Sequence, residues 1–236
     1  MRGLVIVLAF LLLVEAQAAE RPAFILAVSW QPAFCESHEG LPECRSQSPL
    51  RTDADHFSLH GLWPQPKESV YCGVPGWQVA ASQRGAWESL PPLALATATR
   101  HALDGAMPGA MSALDRHEWV KHGTCSGFDA ETYYRISLRL LDELNASPVR
   151  AVMAARRGRE LSTGELRQIF DTAFGAGAGL RVRVACAEDG GRRLISELTL
   201  GLAGDPARLG LGALLRLSSV TEQGCPAGMV DRVGLQ

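Results

Sequence analysis

Residues 116–125 carry two histidines, a carboxylate and an ammonium group within six consecutive positions. On a helix with about 100° per residue, Glu118 and His122 lie one turn apart and Lys121 lies beside both. His117 falls at the edge of the same face. This face offers a proton acceptor, a proton donor and a fixed positive charge to one small substrate group. Such a set is suited to general acid–base chemistry.

Two other interpretations of this stretch remain open. Metalloprotease helices carry His-Glu-x-x-His, in which two histidines four residues apart reach one zinc ion. Here His117 and His122 are five apart, or roughly 140° around a helix, which is a poor arrangement for joint ligation. The second alternative is a solvent-exposed charged face whose Trp119 and Val120 point into the core.

A second chemically suggestive stretch spans Phe57–Gln65. Its first residues alternate between apolar and polar, which predicts a half-buried strand. Gly61 and Pro64 are expected to break that strand. We therefore expect His60 at a strand end and Trp63 on a turn, where its ring can face a planar ligand.

Taken together, the two stretches resemble a known family. Leu59–Pro64 and His117–Cys125 are similar to the two active-site segments of the T2 family of secreted ribonucleases, and Trp30–Cys35 resembles that family's first strand and the cysteine after it. The resemblance extends more weakly over roughly residues 22–225. It implies a ribonuclease T2-like fold and an endoribonuclease that acts on single-stranded RNA without a metal or other cofactor.

The resemblance also implies a role for each matching residue. His122 is expected to act as the general base and His60 as the general acid. Glu118 and Lys121 are expected to stabilise the transition state, and His117 to hold the phosphate. The expected products are first a 2′,3′-cyclic phosphate and then, after slower hydrolysis, a 3′-phosphate.

The residues expected to contact bases predict low base specificity. Trp63 matches the family's base-stacking tryptophan, and stacking tolerates any base. Gln65 occupies a position where some members have an aspartate that favours adenine, and its amide offers both a donor and an acceptor. Leu114 stands where an aromatic residue often sits, so the sequence leaves the second base subsite open.

The first 18 residues have the features of a secretory signal peptide. A basic start is followed by an apolar run over residues 4–14 and by Ala16-Gln17-Ala18, which predicts cleavage after Ala18. Residues 19–236 are expected to form a single catalytic domain, since 47% of the chain is hydrophobic. We expect an exported monomer, in the periplasm or the extracellular space, without membrane attachment in its mature form.

Six cysteines in an exported chain predict disulfide bonds, although six allow 15 pairings. The short spacing favours Cys35 with Cys44. The family resemblance implies Cys72 with Cys125 and Cys186 with Cys225. A zinc site built from four cysteines is the rival use, but no Cys-x-x-Cys pair is present.

The elements that must position these residues predict an α+β fold, in which helices flank a mainly antiparallel β-sheet core. The predicted strands and helices do not alternate regularly, which favours this class. Besides the strand at His60, strands are predicted at residues 24–30, 180–186, 194–202 and 211–217, the middle two forming a hairpin. Helices are predicted at residues 90–103, from Ser112 or Asp115 to Gly123, at 130–144 and at 162–174.

The net charge of −2 does not indicate a general polyanion-binding protein. Two further functions therefore stay open beside the ribonuclease. One is an exported RNA-binding or storage protein of the same fold without catalysis, and the other is a zinc hydrolase built on the His117 helix. Ribonuclease activity with and without EDTA separates all three.

Overall fold

Six strands form one sheet in the computed structural model, which describes residues 19–236; the predicted signal peptide lies outside the described residues. The strands are β1 (Phe24–Ser29), β2 (Ser58–Pro64), β3 (Arg159–Ser162), β4 (Val182–Asp189), β5 (Arg192–Leu202) and β6 (Ala227–Val230). Hydrogen bonds join the strands in the order β2-β1-β5-β6-β3, and β4, which is not on this path, also pairs with β5. Four pairings are antiparallel and only β5 with β6 is parallel.

Nine α-helices surround this sheet within residues 19–236. They are α1 (Gln31–Glu36), α2 (Pro42–Arg45), α3 (Gly76–Gln83), α4 (Thr97–Ala106), α5 (Leu114–Lys121), α6 (Ala130–Asn145), α7 (Pro148–Ala155), α8 (Thr163–Phe174) and α9 (Leu211–Leu217). The predicted α+β class with a mainly antiparallel sheet is confirmed.

The long helix α6 connects the core to the strand that carries His60. Apolar residues at helical spacing bury one face of α6, as predicted. Tyr133 on this face is fully buried, and its hydroxyl donates to the Leu62 carbonyl at 2.8 Å while it accepts from the Leu62 amide at 3.2 Å. The helix therefore holds β2 in place through backbone groups that do not depend on the site residues.

Several predicted elements have the expected bounds. The hairpin of β4 and β5 is present, and α8 begins with a capping box in which Ser162 accepts from the Glu165 amide and Glu165 accepts from Ser162. Three disulfide bonds join Cys35 to Cys44, Cys72 to Cys125, and Cys186 to Cys225.

Two element predictions were wrong. Residues 211–217 form helix α9 rather than a strand, because Leu211, Leu214 and Leu215 bury one helical face, and a short apolar run does not distinguish the two states. The helix predicted to start at residue 90 starts at Thr97, since Leu90 is held extended before two prolines.

The start of helix α5 was also predicted incorrectly. Neither expected residue caps α5, whose N-cap is Ala113 in a left-handed conformation, with φ of 60°. Ser112 instead donates to the Glu43 carboxylate at 2.6 Å, and Asp115 forms an ion pair with Arg100 at 2.6 Å. Tertiary partners therefore take both side chains away from the helix terminus.

No helix within residues 19–236 is both long enough and apolar enough to cross a membrane. In the same part of the chain, no group of three or more His, Cys, Asp or Glu side chains is arranged to hold a metal ion.

Candidate active site

A β-bulge places His60 in the site. Ala27 of β1 pairs with Gly61 of β2, whereas the next residue, Val28, pairs with Leu59. His60 is therefore an extra residue on β2, and such a bulge bends a strand and redirects a side chain. The prediction that Gly61 ends the strand was wrong, because β2 continues to Pro64.

The helix α5 delivers the other candidate groups. It carries His117, Glu118 and Lys121, and it ends at Lys121. His122 is the C-cap residue, with φ of −115° and ψ of −49°, and a 3₁₀ turn follows at Gly123–Cys125. The helix therefore ends slightly earlier than predicted, and His122 lies at the transition rather than on a regular helical turn.

The strand and the helix approach each other at Gly61. A β-carbon added there would lie 2.0 Å from Oε2 of Glu118 and 2.5 Å from Nε1 of Trp63. No larger residue fits without displacing a buried carboxylate, since Glu118 is only 2% exposed. Glycine at this position thus permits the contact on which the site depends.

Glu118 lies at the centre of the site. Its Oε2 accepts a hydrogen bond from Nε1 of Trp63 at 2.7 Å. Its Oε1 lies 3.9 Å from Nε2 of both His60 and His117. Burial raises the pKa of Glu118, although the charges of His60 and Lys121 and the hydrogen bond from Trp63 oppose the rise.

The indole of Trp63 lies beside both histidines that are expected to transfer protons. Its ring centroid is 5.2 Å from that of His60, in an edge-to-face arrangement, and 5.4 Å from that of His122. Trp63 belongs to β2 and not to a turn, contrary to the prediction. Its ring lies near both imidazoles, and its hydrogen bond orients Glu118.

The surroundings of the two histidines move their pKa values in opposite directions. Burial by itself lowers the pKa of His60, but a hydrogen bond to Glu197 and the charges of Glu118 and Glu197 raise it above its usual value. Burial and the positive charge of Lys121 lower the pKa of His122 to about 3.

His117 has its own set of contacts. Its Nδ1 lies 2.8 Å from the hydroxyl of Ser82, and its ring stacks on Trp87 with centroids 4.5 Å apart. Burial and the charge of Lys121 lower the pKa of His117 to about 4. The imidazole is therefore neutral near neutral pH, with Nε2 directed towards Glu118.

Comparison with known proteins places this chain in a family. Ribonuclease I of Escherichia coli strain K12 is 31% identical to the chain over 217 residues, which cover 80% of this chain and 78% of that protein. The sequence profile of the ribonuclease T2 family matches residues 22–209. The chain belongs to the ribonuclease T2 family. As the family and this relative indicate, it is an endoribonuclease.

Two solved structures of ribonucleases share the fold of this ribonuclease T2 family member. Trichomaglin, an S-like ribonuclease, superposes with a TM-score of 0.53 at 18% identity, covering 91% of this chain and 100% of its own. RNase NT in complex with 5′-AMP gives a TM-score of 0.51 at 18% identity, covering 92% and 98%.

Not every residue that the sequence assigned to this T2-type site contacts the others. Lys121 forms no ion pair within residues 19–236, and its charge acts on all three histidines of the site. The amide of Gln65 donates to the backbone carbonyls of Trp63 and Pro64, at 3.3 and 3.2 Å. Gln65 is therefore held against its own strand rather than against the histidines.

A cleft of about 920 Å³ opens beside His60 in this T2 family member. Its walls are mostly apolar and include Leu59, Leu114 and Trp87, and Glu197 forms part of the rim. The volume is typical of small-molecule sites.

Sequence reasoning missed three residues that contact the site histidines: Ser82, Trp87 and Glu197. Only Glu197 carries a signal in the sequence, because it is a carboxylate in a strand that is otherwise rich in Leu and Ile. Charged residues are seldom buried without a partner. Ser82 and Trp87 stand in segments without a recognisable pattern.

Proposed function

We propose that this ribonuclease T2 family member cleaves single-stranded RNA by transesterification, using His122 as base and His60 as acid and no metal ion. The proposal rests on the two histidine pKa values, which move in opposite directions: that of His60 is raised and that of His122 is lowered. When surroundings push the pKa values of two titratable groups apart, the group with the lowered pKa is suited to accept a proton and the other to donate one.

In the first step, neutral His122 removes the proton from the ribose 2′-hydroxyl, and the 2′-oxygen attacks the adjacent phosphorus. Protonated His60 gives its Nε2 proton to the departing 5′-oxygen, which leaves a 2′,3′-cyclic phosphate. In the second step a water molecule takes the place of the alcohol. His60 removes a proton from this water, whose oxygen attacks the phosphorus, and His122 returns its proton to the departing 2′-oxygen, so that the cycle opens to a 3′-phosphate.

The remaining site residues act on the phosphate. Lys121 supplies a compact positive charge for the phosphorane, and His117 donates a hydrogen bond to a phosphoryl oxygen. Glu118, whose Oε1 lies 3.9 Å from Nε2 of both His60 and His117, supports the transition state by favouring the protonated form of His60 and by orienting both rings. Preorganised donors of this kind stabilise charge as it develops in the transition state.

The test uses the substrate as its own probe. A short RNA with one 2′-deoxy sugar should remain intact at the phosphate 3′ to that sugar, and all other linkages should be cleaved at unchanged rates with or without EDTA. A transient 2′,3′-cyclic end should precede the 3′-phosphate. Cleavage at the deoxy position, or activity lost to EDTA and restored by zinc, would contradict the proposal; binding without cleavage would favour the storage function.

The proposal includes low base specificity. Trp63 is engaged by Glu118 and both histidines, and the amide of Gln65 is held by its own backbone, so neither offers a strong base-specific pair of hydrogen bonds. Cleavage rates of the sixteen dinucleoside phosphates should differ modestly. A preference above roughly a hundredfold, or about 2.7 kcal/mol, would reveal a base-reading pocket and contradict this part.

We also propose that residues 19–236 act as one exported, monomeric catalytic domain after removal of residues 1–18, in the periplasm or the extracellular space. The three disulfide bonds support an oxidising compartment. Binding of a nucleotide by the structural neighbour RNase NT supports RNA as the partner. N-terminal sequencing of the protein from each cell fraction tests the cleavage and the compartment.

A further inference from the structure

The strongest contact of His60 is with a residue that the sequence did not suggest. Nδ1 of His60 lies 2.5 Å from Oε2 of Glu197, 137 positions later in the chain. Glu197 belongs to β5, which is separated from β2 by β1. The glutamate side chain therefore reaches across one strand of the sheet to meet the imidazole.

Two irregularities of the sheet accompany this contact. His60 is the bulged residue of β2. On the neighbouring strand β4, Ala185 pairs with Glu197 of β5, and the next residue, Cys186, pairs with Ile195 of β5. Ser196 is therefore an extra residue on β5, immediately before Glu197. Bulges are frequent beside active sites because they redirect side chains. Here one bulge lies on each of the two strands that hold the pair.

The neighbours of Glu197 leave it space to reach His60. It lies opposite Ser29 on β1 and opposite Ala185 on β4, both of which are small. Among the described residues, Glu197 has no other ion pair and no other side-chain hydrogen bond. A carboxylate in an interior strand of a sheet is costly without a partner, and His60 is the partner it has.

The direction of the contact decides what the imidazole can do. A carboxylate only accepts hydrogen bonds, so Nδ1 of His60 must carry a proton. The other nitrogen, Nε2, is directed into the site, 3.9 Å from Oε1 of Glu118. When the ring is protonated, the proton on Nε2 is the one that remains available to a substrate.

We infer that Glu197 is a positioning residue for His60, which fixes the ring through Nδ1 and stabilises the imidazolium so that Nε2 protonates the 5′-oxygen of the departing nucleoside. The inference rests on the proposed function, since it takes His60 as the acid. It explains why a glutamate stands in an interior strand, and it gives β5 a part in the reaction beside β2 and α5.

The other charged groups around His60 act in both directions. From α5, Glu118 favours the imidazolium and Lys121 opposes it, and His117 and His122 face the same space. Burial lowers the pKa of His60, and the hydrogen bond to Glu197 is the largest influence that raises it. Removal of the Glu197 charge should therefore lower this pKa.

The experiment compares two substrates that differ in the leaving group. A dinucleoside phosphate loses a 5′-alkoxide, which needs a proton, whereas a nucleoside 3′-(p-nitrophenyl phosphate) loses a phenolate that needs none. Glu197→Gln keeps the shape of the side chain and removes its charge. We expect kcat on the dinucleoside phosphate to fall about 10- to 100-fold, as for other groups that orient a functional histidine, with KM nearly unchanged. On the aryl ester, kcat should change less than about threefold, because the acid contributes little there.

A pH profile provides the second measurement. Activity requires protonated His60, so the rate on the dinucleoside phosphate falls as pH rises through the pKa of His60. In Glu197→Gln this falling limb should move to lower pH, and Glu197→Asp should restore part of the loss. Glu188→Gln is the matched control, because Glu188 is a solvent-facing glutamate on β4 paired with Arg193 and should leave rate and profile unchanged.

The outcomes separate this inference from the function on which it rests. A loss in Glu197→Gln that is equal on both substrates, or a falling limb that does not move, overturns the role of Glu197. His60→Ala serves as the reference and should lose far more activity on the dinucleoside phosphate than on the aryl ester. If His60→Ala loses activity equally on the two substrates, His60 is not the acid, and the proposed function is wrong whatever the result for Glu197→Gln. Long-range ¹H–¹⁵N spectra check the geometry, since Nδ1 of His60 should be protonated in the wild type even when the ring is neutral.

Discussion

At the scale of single residues, the site works by giving two histidines unlike surroundings. His60 faces two carboxylates, Glu118 and Glu197, whereas His122 is partly buried beside Lys121. The same imidazole is therefore stabilised as a cation in one place and as a neutral ring in the other. In the proposed mechanism the first ring is the acid and the second the base, and the Trp63 indole lies beside both, with ring centroids 5.2 and 5.4 Å away.

The first prediction concerns the base. Replacing His122 with alanine should reduce kcat/KM on a dinucleoside phosphate by about 10²–10⁴-fold, because general-base catalysis is lost. In the wild type the rate should rise as pH increases through the pKa of His122, about 3 in the free enzyme, and this rising limb should vanish in the variant. His101→Ala, at an exposed histidine on α4, should retain full activity. Retention of the rising limb in His122→Ala would assign the base to another group.

The second prediction concerns Gly61. Its replacement with alanine should lower the free energy of unfolding by about 1–3 kcal/mol, since the new β-carbon overlaps Glu118 and the strand or the helix must move. Activity should also fall, because Glu118 orients toward both His60 and His117. Gly105→Ala is the control, because Gly105 lies near the end of α4 with nothing within 4 Å of the added carbon. It should be neutral or stabilising by about 0.5–1 kcal/mol. Urea denaturation measures the free energy of unfolding of both variants. Equal effects of the two substitutions would show that the close approach at Gly61 is unimportant.

At the scale of elements, the end of α5 is the part of the site that needs external support. The helix ends at Lys121; the His122 amide still donates to the Glu118 carbonyl at 2.9 Å, but the His122 carbonyl accepts from the Cys125 amide in the 3₁₀ turn that follows. The following turn ends in Cys125, which is joined to Cys72, and the amide of Tyr71 donates to the Lys121 carbonyl at 2.9 Å. The segment after β2 is thereby fastened to the end of α5, and His122 is fixed relative to His60.

The third prediction tests this link. Replacing both Cys72 and Cys125 with alanine should lower the free energy of unfolding by about 3–4 kcal/mol, because the bond closes a loop of 53 residues. Replacing Cys35 and Cys44, whose separation is 9 residues, should cost less, about 2–3 kcal/mol. Only the first pair should also reduce kcat under folding conditions. If both double variants keep full activity, the bond stabilises the chain without orienting the site.

At the scale of the whole molecule, a buried carboxylate near the C-terminus connects distant parts of the chain. The Asp231 carbonyl accepts a hydrogen bond from the Trp30 indole at 2.9 Å, and Arg192 of β5 lies 3.6 Å from the Asp231 carboxylate. Burial and the nearby charge of Glu36 raise the pKa of Asp231 to about 6. This group is remote from the catalytic histidines in its contacts, yet it titrates close to neutral pH.

The fourth prediction follows from the sign of that shift. The pKa of Asp231 is higher in the folded than in the unfolded chain, so its contribution to stability is fully present below about pH 4 and is lost as pH rises through about 6. Asp231→Asn should therefore gain stability relative to the wild type as pH increases from 4 to 7. Because the site histidines titrate alike in both proteins, the difference reports on Asp231 together with its neighbour Glu36. Thermal unfolding at each pH, with exposed Asp205→Asn as the control, checks this; a difference that does not vary with pH would contradict it.

The sequence by itself determined the local features of this protein. The spacing of Tyr133, Ile136 and Leu140 predicted α6, and Ser162 with Glu165 predicted the start of α8, because helical period and capping involve residues only a few positions apart. The two candidate active-site segments were identified in the same way, since the order of residue types within each is local. These features indicated the family and the candidate groups for its chemistry.

Tertiary structure alone decided how those groups are arranged. The contact of Glu197 with His60 joins residues 137 positions apart, and it depends on strand order and on two bulges that leave no local pattern. Likewise, the apolar run at 211–217 became a helix because of the surface against which it packs. Propensity and period act within a few residues, whereas the direction of a pKa shift depends on every charge and every buried surface around the group. For that reason the sequence named both histidines, whereas the opposite pKa shifts on which the proposed acid and base roles rest came only from the fold.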